Sequence, residues 1–104
     1  MTERLFTWDP VKDRKNLRKH KIGFDEASRV FLDPLHVSVQ DRIEEGEARW
    51  QTIGQVGGAL LLLLAHTMTD DEDEEGAPVE IIHIISARDA PRQERKRYEQ
   101  GQDR

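Results

Sequence analysis

The chain has no cysteine among its 104 residues, which excludes disulfides and thiolate metal sites. It has no apolar run near the roughly eighteen residues that a membrane-spanning helix needs. The longest run, Ala59–Ala65, is strand-sized. The opening MTERLFTWDP lacks an apolar stretch of signal-peptide length, so a soluble cytoplasmic protein is expected. There is no Gly-rich phosphate loop and no HExxH, and Gly57-Gly58 reads as turn chemistry. The histidines, His20, His36, His66 and His83, are dispersed, with no helical i, i+3 or i+4 pair among them. The acids gather mostly in one block without the glycine and alternation of a calcium loop. No metal and no other cofactor is expected. At 36% apolar and 36% charged, one modest core can form, hence one domain over 1–104.

The net charge is −5, which at first sight opposes nucleic acid, but its placement matters more than its sum. Six acids stand together at Asp70–Glu75, and without them the balance is +1. Lys12–Lys21 holds six Lys or Arg against one acid, and Arg88–Arg97 five against two. Two basic segments therefore face one acidic block. The block reads as a solvated hairpin loop over 70–78, or as a decoy or contact for a basic partner. Residues 100–104 read as a disordered tail.

Arg4–Trp8 reads as a first strand. Asp9-Pro10 is a helix start, with Asp9 as cap and Pro10 in the first turn. This helix runs to about His20 and carries Lys12, Lys15, Asn16 and Lys19 on one face. Phe24–Leu32 reads as a second helix, with Phe24, Ala27 and Phe31 turned to the core, ended by Asp33-Pro34. Four antiparallel strands follow: Leu35–Asp41, Ala48–Val56, Ala59–Thr67 and Glu80–Ala87. On the last, parity puts Ile81, His83 and Ile85 on one face, and Ile82, Ile84, Ser86 and Arg88 on the other. Pro91 begins a final helix with Arg92, Arg95, Lys96, Arg97 and Tyr98. The order β-α-α-β-β-β-β-α predicts an α+β fold with helices on one face of an antiparallel sheet. Glu80–Tyr98 thus delivers cations and an aromatic to one edge. It reads either as a site for RNA or DNA or as a core strand followed by a solvated helix.

Several motifs in register resemble one family. They are WDPVKDRKNLRKHKIGFDEASRVFLDP, then DRIEEGEARWQTIGQVGGALLLLLAHT, then IIHIISAR before a basic R..ER..Y helix. Together these resemble the BrnT family of bacterial toxins. The chain departs from the pattern at Asp89 and Pro91, and in its longer acidic block. The resemblance implies a RelE-like fold and a ribonuclease that stops translation. It also implies a BrnA-type antitoxin with a ribbon-helix-helix part, and operator binding only through that partner.

Metal-independent RNA cleavage needs the 2′-hydroxyl deprotonated, the phosphorane charge stabilised and the 5′-oxygen protonated. The candidate catalytic residues are Arg88, His66, Arg49 and His20. Arg88 is the first choice for phosphate, because a strand end fixes it and arginine matches phosphate bidentately. His66, at the far end of a central strand, is the first choice for proton transfer. The candidate RNA contacts are Lys12, Lys15 and Lys19, Arg92 and Arg95, with Trp50 and Tyr98 as stacking platforms. His83 reads as packing between isoleucines, and His36 as incidental. The competing class is a non-catalytic module that binds the antitoxin and acts as co-repressor of its own operon.

Overall fold

The computed structural model describes residues 2–101. The elements are β1 (Glu3–Thr7), α1 (Pro10–His20), α2 (Phe24–Ala27), a 3₁₀ segment (Ser28–Leu32), β2 (Val37–Glu44), β3 (Glu47–Val56), β4 (Leu60–Glu72), β5 (Pro78–Asp89) and α3 (Arg92–Gly101). The α+β class and element order match the sequence reading. Of the expected tail at 100–104, residues 100 and 101 belong to α3, and the rest lies outside the described residues.

The five strands form one sheet in the order β1-β5-β4-β3-β2. β2 to β5 are an antiparallel meander, but β1 pairs parallel with β5, from Glu3↔Val79 to Thr7↔His83. The sheet is therefore mixed rather than antiparallel throughout. β1 pairs only with the first half of β5, so the outer edge of β5 is free beyond His83. The buried Asn16 of α1 fills part of that gap. Its Nδ2 donates to the Ala87 and Ile22 carbonyls at 2.8 and 2.9 Å, and its Oδ1 accepts from the Ala87 N–H at 3.1 Å. One side chain thus satisfies both backbone groups of a buried strand residue and fastens α1 to the sheet.

α1 begins as the sequence predicts: Asp9 Oδ1 accepts from the Val11 N–H at 2.8 Å, with Pro10 in the first turn. Asp13 Oδ1 accepts from the Phe24 N–H, which starts α2. The expected single helix over Phe24–Leu32 is instead one α turn that tightens into 3₁₀ geometry at Ser28. Phe24, Ala27, Val30 and Phe31 are still buried, packed with Ile82, Ile84 and Ala87 of β5 and Leu62 and Leu64 of β4. Gly54 is required here, because a Cβ at this position would stand 2.8 Å from the Val30 carbonyl oxygen.

α3 does not join these helices. It packs on β3 and β2 from the opposite side, in a smaller cluster of Ile53, Leu61, Leu63, Ala90 and Tyr98. Helices therefore occupy both faces, not one. The reason is local: the Ala90 N–H bonds the Leu61 carbonyl at 2.9 Å, so the chain turns across the sheet as β5 ends. The apolar side of α3, chiefly Tyr98, then has only the Leu61/Leu63 face to cover.

Two further departures come from β4 and β5. The acidic block is not wholly loop: β4 continues through Asp70, Asp71 and Glu72, which pair with Glu80, Val79 and Pro78. Asp73 then closes the hairpin by accepting from the Glu75 and Ala77 N–H groups. Second, the β4–β5 register shifts between Ala65↔Ser86 and His66↔Ile84, so Ile85 is an extra, bulged residue. A one-residue slip moves every later side chain to the other face. Ala87 joins the core with Ile82 and Ile84, while Ser86 and Arg88 share a face with His83. The parity expected from the sequence is reversed at this point.

Candidate functional site

The bulge gathers polar side chains on the sheet face that α3 covers only in part. One cross-strand row runs over all five strands. Thr7 is opposite His83, His83 is opposite Thr67, and Arg49 is opposite Arg42. Continuing the β3–β4 register one step beyond Trp50↔His66 sets Arg49 beside Thr67. His83 and Arg49 thus flank the small Thr67 two strands apart, about 10 Å between backbones at the usual strand spacing. The next row inward holds Ser86, Ala65 and Gln51, and the row after it holds Arg88, Leu63 and Ile53. Arg88 is then about 13 Å along the sheet from His83. α3 covers this face over β3 and β2, and a recess of about 510 Å³ lies between the helix and these strands, lined by Val39, Gln51, Glu94 and Arg97 among others.

His83 is exposed, and its Nδ1 is 2.8 Å from the Thr7 hydroxyl. The two arginines are underpaired. Arg49 Nε and Arg42 Nη2 share the same Glu44 oxygen at 3.5 and 3.4 Å, and Arg42 Nη1 is 3.6 Å from Asp41. These contacts are longer than the 2.7–2.9 Å or so of a charge-assisted hydrogen bond. Arg49 Nε is buried without a hydrogen-bond partner. The Arg42 pairs are exposed, and exposed ion pairs of this kind contribute about 0–1 kcal/mol.

His66 lies on the other face. It is fully buried, its Nδ1 donates to the Thr67 carbonyl at 3.2 Å, and its Nε2 accepts from the Thr52 hydroxyl at 2.7 Å. Thr52 in turn accepts from Ser38, and the ring meets Phe31 edge-on. Burial pushes the His66 imidazole below its ordinary protonation range, against a smaller opposing effect of the Thr67 carbonyl and Glu80. Both ring nitrogens are engaged inside the core. Trp50 pairs with His66 in the register, and so lies on that same face, half-buried.

Tyr98 is a pin rather than an open platform. It is 7% exposed, and its hydroxyl donates to Asp33 Oδ2 at 2.7 Å. Burial, with the Asp33 carboxylate beside it, pushes the phenol up to about 12. Asp33 also accepts from the Leu35 and Gln55 N–H groups. Burial opposes its charge, yet those bonds, Tyr98 and nearby His36 hold its carboxyl below the usual range.

The expected basic residues divide. Lys12, Lys15 and Lys19 are exposed on α1, within about a turn of Asn16, and Asn16 clamps the residue next to Arg88. The lysines of α1 therefore lie near the end of β5 that carries Arg88, whereas the rest of the second basic segment, on α3, packs over β3 and β2. His20 is half-buried at the end of α1, away from the His83 row. Arg92 and Arg95 are exposed on α3. Of the four expected catalytic residues, the structure puts Arg88 and Arg49 on one face and His66 on the other. Sequence reasoning set His83 aside as packing and did not single out Arg42 or Thr7. The one visible signal was His83 itself, a polar residue standing between two pairs of isoleucines.

A family model described as the ribonuclease toxin, BrnT, of type II toxin–antitoxin systems matches residues 8–94. The fold is similar to the crystal structure of the Brucella abortus ribonuclease toxin, BrnT, at a TM-score of 0.57 and 22% identity. That alignment covers 88% of this chain and 100% of the other. No curated protein matches. Among the described residues, no helix is long and apolar enough to cross a membrane. The matched segment includes Arg42, Arg49, His83 and Arg88 but not Thr7.

Proposed function

Since the chain belongs to the BrnT family of ribonuclease toxins of type II toxin–antitoxin systems, we propose that it cleaves RNA on the open face of its sheet without a metal ion. The observation that carries this is the row of His83, Thr67, Arg49 and Arg42, with Arg88 further along the same face. In this mechanism His83 Nε2 takes the proton of a ribose 2′-hydroxyl. The resulting 2′-oxygen attacks the adjacent phosphorus, and the bond to the 5′-oxygen breaks. The products are a 2′,3′-cyclic phosphate and a 5′-hydroxyl, whose proton comes from the imidazolium. Arg49 and Arg42 hold the non-bridging oxygens as charge builds on the phosphorane. Arg88 binds a neighbouring phosphate, and Lys12, Lys15 and Lys19 steer the strand in from the β5 edge.

This reading keeps Arg88 and Arg49 from the sequence and replaces His66 with His83. It assigns His66 and Tyr98 to the core, because both are buried and hydrogen-bonded there. It also takes the fold as RelE-like and the setting as cytoplasmic. The cell-level effect is inhibition of translation. The antitoxin is of BrnA type, with a ribbon-helix-helix part through which the pair binds its operator.

A non-catalytic antitoxin-binding co-repressor is the second reading. It is favoured by Asp70–Glu75, six acids at the tip of the hairpin that carries His83, which repel RNA locally. Incubating the purified, antitoxin-free protein with RNA in EDTA separates the two. Cleavage leaving cyclic phosphate ends is expected. Intact RNA with well-folded protein would support the second reading, and cleavage that EDTA abolishes would end the metal-free mechanism.

A further inference from the structure

We infer that Thr7 is the positioning residue that holds His83 in the tautomer needed for proton abstraction; this rests on the reading of His83 as the proton-transfer group. Thr7 is the last residue of β1 and stands directly opposite His83 in the parallel pairing. Its hydroxyl oxygen is 2.8 Å from Nδ1 of the ring. Among the described residues, Nε2 has no hydrogen bond and the ring is exposed.

The pair can bond in either tautomer, and a proton-abstracting role for His83 selects one of them. A base needs a lone pair on Nε2, so the proton must sit on Nδ1. The Thr7 hydroxyl can accept from that Nδ1–H. When Nε2 takes a proton, Nδ1 keeps its own, and the same bond to Thr7 persists. The ring is therefore held in one orientation through both protonation states, with no change of partner. A β-branched side chain on a strand has few χ1 choices, which keeps the hydroxyl aimed. A carboxylate here would add a second charge beside the ring, which a hydroxyl does not. Thr7 also explains what the parallel edge strand supplies: only a strand paired in that register brings a side chain opposite His83 on the side away from Thr67. RNA lying over the row excludes the water that otherwise competes for both groups.

The test uses the full chain and a mixed-sequence single-stranded RNA carrying a fluorophore and quencher, with Thr7→Val, Thr7→Ser and His83→Ala variants. Thr7→Val should lower kcat by about ten- to a hundred-fold with KM nearly unchanged, the scale expected for a misaligned reacting group. Thr7→Ser should restore most of the rate. Imidazole nitrogen chemical shifts should show the Nδ1–H tautomer of His83 in the wild type and its loss in Thr7→Val. A wild-type ring protonated on Nε2 overturns the inference without any variant. So does Thr7→Val with wild-type kcat, or with a defect in KM alone. If His83→Ala cleaves like the wild type, the reading of the site falls, and this inference with it. If His83→Ala is inactive and Thr7→Val is not, only the inference falls.

Discussion

Replacing Asn16 with alanine should unfasten α1 from the sheet. Asn16 is 8% exposed, and its amide makes three hydrogen bonds: two to Ala87 and one to Ile22. Alanine leaves two carbonyls and one N–H without partners, at residues that are themselves 0% and 4% exposed. Each buried orphan costs about 1–3 kcal/mol. Because Ala87 lies at the free edge of β5, water relieves part of this, and the net loss should be about 3–5 kcal/mol. That is a large share of the roughly 5–15 kcal/mol that holds a domain of this size. Urea unfolding followed by far-ultraviolet circular dichroism should show the midpoint falling with the slope unchanged. Asn16→Asp should be at least as damaging at neutral pH, because a carboxylate oxygen replaces the group that donates to two carbonyls. It should recover partly on acidification. A loss below about 1 kcal/mol for Asn16→Ala would show that solvent replaces these bonds, and the clamp beside Arg88 would have no energetic basis.

Tyr98 gives an alkaline signature. Its phenol is raised to about 12 from an ordinary 10.0, chiefly by burial and then by Asp33. The folded state therefore resists ionisation that the unfolded state accepts, and stability present below pH 10 should be lost as pH rises towards 12. Tyr98→Phe should flatten that decline in chemical denaturation measured across the range. His66 gives an acid signature. Burial lowers its protonation range from 6.5, so stability present above that value should fall as pH drops below it, and His66→Gln should remove that component. Gly54→Ala should cost about 1–3 kcal/mol in urea unfolding, because the added methyl meets the Val30 backbone rather than a side chain that can swing away.

The element order was legible because its signals are local. Asp9-Pro10, the alternation of Val37 and Val39, the glycine pair at 57 and 58, and the apolar run from Leu60 each mark an element without reference to its neighbours. The ends were less legible. β4 runs five residues past Thr67 because backbone pairing with β5 continues regardless of the charge on Asp70, Asp71 and Glu72. The parallel pairing of β1 and the position of α3 are long-range outcomes, decided by which edge and which face remain uncovered. The largest consequence came from the smallest feature. In IIHIIS isoleucines stand at adjacent positions on both sides of His83, so a bulge at Ile85 leaves no break in the apolar pattern. Counting parity through it carried Arg88 to the wrong face and set His83 aside as packing. Arg88 and Arg49 were singled out because residue type alone suggests phosphate binding. His66 attracted attention by its place at the end of an apolar strand, where the structure gives it a complete set of buried hydrogen bonds.

Comparing His83→Ala with His66→Gln in RNA cleavage, per mole of folded protein and in the presence of EDTA, tests the account most directly. His83→Ala should lose on the order of a hundred-fold or more in rate, the usual contribution of a general acid–base group. It should keep its unfolding midpoint, since the ring is exposed. His66→Gln should be less stable yet cleave at close to the wild-type rate at a temperature where it is folded. Wild-type cleavage by His83→Ala, or inactivity confined to folded His66→Gln, would contradict the claim that the chemistry lies on the open face of the sheet.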